Sequence, residues 1–211
     1  MHRRTITSAL ILATFVGLAA AAAAPAPATV TYTLDASRSK FMANANRSGL
    51  LWLGKSHHLA ASDFSGRVEL TPQSITPASL RLDVKAASLH ETGADFTEPQ
   101  KQIINKELHD IVLLPDQFPD IVFQSTSVTA KRPASGGGYD VKLTGNLTLL
   151  GVTHRVEIPA TVTLNGDEMR AVGKFSIDRN DYKAKATSAA HGLVRVDNTV
   201  KFEFDIVGRR G

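Results

Sequence analysis

The sequence predicts an all-β protein, a meander of antiparallel strands with one dry face and one wet face. Three observations carry that prediction. Apolar and polar residues alternate in many short runs along the chain. Turn-forming residues separate these runs, and a single segment switches to helical spacing. Strict alternation places every second side chain on the same face of a strand.

The first clear runs are Arg67-Val68-Glu69-Leu70 and Leu80-Arg81-Leu82-Asp83-Val84-Lys85. Val141-Lys142-Leu143-Thr144 continues toward Leu147 and Leu149, and is followed by Val156-Glu157-Ile158 and Val162-Thr163-Leu164. Lys174-Phe175-Ser176-Ile177 and the run from Val200 to Ile206 complete the set. Thr71-Pro72, Gly136-Gly137-Gly138, Leu150-Gly151 and Asn165-Gly166-Asp167 mark turns between them. Pro119 lacks an N–H and suits the first position of a strand over Ile121, Phe123 and Ser125. A sheet of this size either packs on a second sheet or closes into a barrel.

The exception lies between Glu98 and Leu114. Ile103, Ile104, Leu108, Ile111 and Val112 recur there at helical spacing among Gln, Lys, Glu and Asp. This predicts an amphipathic helix with its apolar stripe turned inward. Pro99 fits its first turn and Pro115 helps to end it.

The N-terminus reads as an address. His2, Arg3 and Arg4 precede an apolar run from Ser8 to Ala24, and Ala26-Pro27-Ala28 supplies a small-x-small cleavage site. The layout predicts a secretory signal peptide over residues 1–28 and one mature domain over 29–211. A membrane anchor is the rival, but the alanine-rich second half makes a weak span. The chain has no cysteine, which excludes disulfides, a lipoprotein anchor, a thiolate metal site and a cysteine nucleophile. Export without disulfides points to a bacterial periplasm.

Of 24 basic residues, two are Arg3 and Arg4, leaving 22 against 20 acidic ones in the mature chain. A net charge of +2 is too balanced for nucleic-acid binding. No Gly-x-Ser-x-Gly elbow is present, so hydrolase chemistry lacks its nucleophile. Glu107, His109 and Asp110 read as a solvated helix face. The triple glycine lacks the lysine and helix of a phosphate loop. No His-x-His or His-x-x-x-His spacing occurs, so no metal site is expected. No enzyme activity and no cofactor are predicted.

A barrel of about eight strands is either filled by side chains or holds one small ligand. Alternation turns inward Phe41, Leu82, Val84, Ile121, Phe123, Leu143, Gly145, Leu147, Ile158, Val162, Phe175 and Phe202, with Ser125 small enough to leave room. Gly145 marks a bend or a close approach within an apolar face. Such a lining would select a lipid-like guest, although periodicity by itself favours a filled core. His57 and His58 fall on opposite faces of a strand, and His57 near Trp52 is a candidate partner for a guest's polar head.

Four stretches in order resemble the YceI-like family of exported lipid-binding proteins. They are Tyr32 to Ser39, echoed by Asp63 to Val68; Phe118 to Ser125; Leu143 to Val156; and Phe175 to Tyr182. The family often has glycine after the aromatic of the last motif, where this chain has Lys183. The segment from Leu50 to Leu59 also departs from the commonest form. The resemblance implies an eight-stranded, lipocalin-like antiparallel barrel with the helix at its mouth. It implies an apolar long-chain lipid, polyisoprenoid or quinone-like, held inside, with binding or ferrying as the activity. Past the helix, the mouth is the expected way in. A b-type cytochrome membrane protein is the implied partner. The alternative from the residues is a filled-core interaction module acting through its surface on a membrane partner.

Overall fold

Alternating strands expose an apolar face that another layer, or the sheet's own far edge, must cover. In the computed structural model, which describes residues 28–48, 55–134, 136–185, 188–189 and 194–211, the far edge covers it. The strands are β1 (Val30–Leu34), β2 (Lys40–Ser48), β3 (His57–Ala61), β4 (Phe64–Thr71), β5 (Ile75–Lys85) and β6 (Leu89–Glu91). They continue as β7 (Asp120–Lys131), β8 (Tyr139–Leu149), β9 (Val152–Asn165), β10 (Glu168–Asp178), β11 (Ser188–Ala189) and β12 (Val194–Arg210).

Neighbours run β1-β4-β5-β7-β8-β9-β10-β12, and β12 returns to β1 through Tyr32–Arg210 and Leu34–Gly208. Eight antiparallel strands therefore close a barrel, and the two-sheet alternative falls away. At one end the wall is prolonged by β2, which also pairs with β12, and by β3 and β6 beside it. The short β11 pairs with the start of β12. Turns fall where the sequence places them: Leu150 and Gly151 both have positive φ, at 52° and 71°, and Gly166 at 59°.

The single α-helix, α1 (Glu98–Glu107), starts at Thr97, whose backbone N–H donates to Gln100 Oε1 at 2.9 Å. It continues as a π-helical turn (Leu108–Leu113) and stops at Leu114, whose φ of 48° is left-handed. Leu108 and Leu113 are buried, but Ile103 and Ile111 are 62% and 41% exposed. The expected stripe is thus only partly inward. The wider π turn shifts the phase of the side chains, so the burying pair is five residues apart rather than three or four. Among the described residues no helix is long and apolar enough to cross a membrane.

The helix seals the free edge of β6. Glu91 N–H donates to Asn105 Oδ1 at 2.7 Å, and His109 Nε2 bonds Leu89 O at 2.9 Å. His109 is therefore a structural pin rather than part of a solvated face. These contacts give β6 the partners that a further strand would have supplied.

Lys183 has a φ of 57°, the left-handed region that favours glycine. The backbone at the departure from the family pattern has kept a glycine conformation. A lysine there costs about 1 kcal/mol, so K183G is expected to raise stability by about that much. Chemical denaturation checks it, and an unchanged or lower midpoint contradicts it.

Candidate functional site

Inward alternation on eight strands leaves an elongated apolar cavity. Lining residues on β5 run from Ile75 to Val84, which is roughly 30 Å of strand at about 3.3 Å per residue. The space open to the centres of water-sized spheres is ≈ 110 Å³. One sphere needs about 10–15 Å³, so the barrel is not filled by its own side chains. Ser79 is the one polar residue of the lining.

Ten of the expected residues line this cavity: Phe41, Leu82, Val84, Ile121, Phe123, Leu143, Leu147, Ile158, Val162 and Phe175. Three others lie in the wall without lining it. Ser125 Oγ accepts from the Leu80 backbone N–H at 2.8 Å, so its hydroxyl serves the wall. Gly145 lies where a Cβ would stand 2.4 Å from Gln124 O and 2.6 Å from Phe123 Cζ, so glycine there lets the Phe123 ring lie against the wall. Phe202 stacks on Phe175 with ring centroids 4.8 Å apart. Trp52 lies outside the described residues, as do residues 1–27, where a signal peptide is expected.

Alternation also held residues the sequence reading passed over. Val68, Leu70, Phe204 and Ile206 sit on runs already recognised and line the same cavity. Ala78 and Ser79 carry no such signal. Tyr32, Leu70, Ile75, Tyr139 and Met169 form the buried cluster at the end away from the helix.

A polar cluster sits beside the helix. His57 and Glu91 share the inward face of β3 and β6 with Leu59, which pairs with Glu91. Glu91 accepts from His57 Nδ1 at 2.8 Å, from Gly93 N–H at 2.7 Å and from His58 N–H at 3.1 Å. Burial pushes the Glu91 carboxyl up, but the His57 contact and the two backbone donors outweigh it and hold it below the usual range. His57 also stacks on Phe96 at 5.2 Å. His57 does not line the cavity, and its Nδ1 is committed to Glu91. His58 points the other way, to Asn44 Oδ1 at 2.7 Å.

Tyr182 is buried, with its hydroxyl unpaired among the described residues. Burial, then the Asp181 charge, pushes it up to about 12, so the phenol stays neutral at ordinary pH. Among the described residues no three His, Asp or Glu side chains converge as metal ligands.

The YceI-like domain model matches residues 32–208. The chain belongs to the YceI-like family. Its barrel is similar to that of Burkholderia cenocepacia BcnA, at 22% identity, a TM-score of 0.63, and coverage of 82% of this chain and 98% of that one. It is similar to a polyisoprenoid binding domain from Saccharophagus degradans implicated in plant cell wall breakdown, at 17% identity and a TM-score of 0.63, covering 86% and 99%. A Campylobacter jejuni YCEI protein matches at 18% identity and a TM-score of 0.54, covering 72% and 84%. At these identities the likeness is one of fold. A search of curated proteins finds no sequence match. In this YceI-like barrel the second and third motifs pair directly, with Phe123 opposite Leu147 and Ser125 opposite Gly145. The fourth supplies Phe175 to the cavity and Tyr182 to the core beside the helix.

Proposed function

We propose that this chain is an exported carrier that holds one long apolar lipid, of isoprenoid or quinone-like type, inside its barrel and performs no chemistry on it. The observation that carries this reading is the elongated cavity with a single polar residue in its lining. Each methylene moved from water into such a wall gains about 0.8 kcal/mol. A wall with one uncharged polar residue and no charged one rewards length rather than a particular head. The polyisoprenoid binding domain of like fold supports the ligand class. The basic, apolar and small-residue order of the first 28 residues supports export to the periplasm. A membrane protein of the b-type cytochrome kind would suit a quinone-like cargo.

All-trans retinol, a fluorescent isoprenoid, tests the reading. The mature chain should take up one retinol per barrel, with competition by an unlabelled polyprenol or ubiquinone. No uptake, or uptake that neither competitor reduces, would overturn it.

A further inference from the structure

Two neighbouring barrel strands are zipped over only part of their length. β5 and β7 pair from Arg81–Gln124 to Lys85–Asp120 and no further, although β5 begins at Ile75 and β7 runs on to Lys131. Beyond that point β5 is paired with β4 alone, and β7 with β8 alone. Pro77 has no N–H to offer on this edge. A bulge between Ser125 and Ser127 bends β7 at the place where the rungs cease.

Side chains latch the two ends of the gap. At one end Ser125 Oγ accepts from Leu80 N–H at 2.8 Å, and Gln124 Nε2 donates to Leu80 O at 3.4 Å. At the other, Tyr139 Oη donates to Gln73 O at 2.7 Å and accepts from Arg132 Nη2. Between the latches no strand-pairing rung joins the strands.

Ser79 is the telling residue. Its partner in register is Glu69, so it belongs to the outer face of β5. Even so, it lines the internal cavity with Ala78, Leu80 and Val128. Ser79 thus belongs to the stretch of wall, Ala78 to Leu80, that borders both the cavity and the edge left unpaired toward β7.

We propose that the seam between Ile75–Leu80 and Ser125–Lys131 is the passage by which an apolar chain enters and leaves the barrel. This rests on the carrier reading above. The competing route, past the helix, requires Leu108 and Leu113 to leave the core and the Asn105 and His109 bonds to β6 to break. Widening the seam parts the Ser125 and Tyr139 latches but breaks no ladder rung.

The chain has no cysteine, so one introduced cysteine takes a unique label. Retinol release into phosphatidylcholine vesicles is followed by stopped-flow fluorescence. S79C carrying biotin-maleimide should release retinol about tenfold more slowly than the unlabelled variant, while the same label on I103C, on the exposed face of the helix, leaves the rate within about twofold. Y139F, which opens the far latch while keeping the ring, should speed release by up to about tenfold. Unchanged release from labelled S79C, or a tenfold slowing from labelled I103C, overturns the seam while leaving the carrier intact. Failure of the unmodified protein to bind retinol overturns both.

Discussion

A160W is expected to abolish lipid binding while the barrel still folds. Ala160 is buried in β9 and lines the cavity. An indole there occupies space that a guest would need and buries about 150 Å² of apolar area that the guest would otherwise cover. At about 25 cal/mol per Å² the guest loses about 4 kcal/mol, or close to three orders of magnitude in affinity. Overpacking of a tight core costs about 1–3 kcal/mol, but here the new side chain enters existing free space, so the lower end applies. Retinol titration and thermal unfolding read the two effects separately. Undiminished binding by a folded A160W places the guest outside the barrel.

The second large effect is on stability. E91A removes a buried carboxylate that three donors share: His57 Nδ1, Gly93 N–H and His58 N–H. Each donor is left facing a cavity, and the turn that seats β6 against the helix loses its anchor. The expected cost is about 3–5 kcal/mol, or a fall in Tm of about 6–20 °C for a chain of this size. E91Q keeps an acceptor oxygen and should lose less. The pH dependence follows from the lowered pKa of Glu91. Its stabilisation is complete above the ordinary carboxylate value of 4.5 and fades as pH falls from there through the lower folded value. The wild-type Tm should therefore decline in that acid window more steeply than the Tm of E91Q. Equal slopes, or an E91A Tm unchanged from wild type, contradict this role.

Much of the wall was legible because alternation is a local signal and burial on one face enforces it. The inward identity of Phe123, Leu147, Val162 and Phe175 needs nothing beyond their own runs. Closure is different, since Tyr32 meets Arg210 from the opposite end of the described chain and no local pattern encodes that pairing. The free volume is equally hidden, because it depends on barrel diameter rather than on which residues face in. Ile111 looks inward at regular helical spacing and emerges exposed because the backbone widens after Glu107, while Ile103, a turn before that widening, lies on the outer side of the helix. Glu91 occupies an inward position where alternation expects an apolar residue, and its donors come from the start of β3, at His57 and His58, and from Gly93 just past β6. The parted seam left one trace in the sequence, Pro77 within a strand. Its meaning appears only once β7 is seen to stop pairing at Arg81.

The central claim, that the barrel carries a long apolar lipid, is tested most directly by its natural contents. The full chain is expressed with its own N-terminus, purified without detergent, extracted with organic solvent, and the extract is weighed by mass spectrometry against protein. The account predicts close to one isoprenoid or quinone-like chain per barrel, absent from the extract of A160W. A clean extract from folded protein that also stays empty when polyprenol and ubiquinone are offered would contradict it.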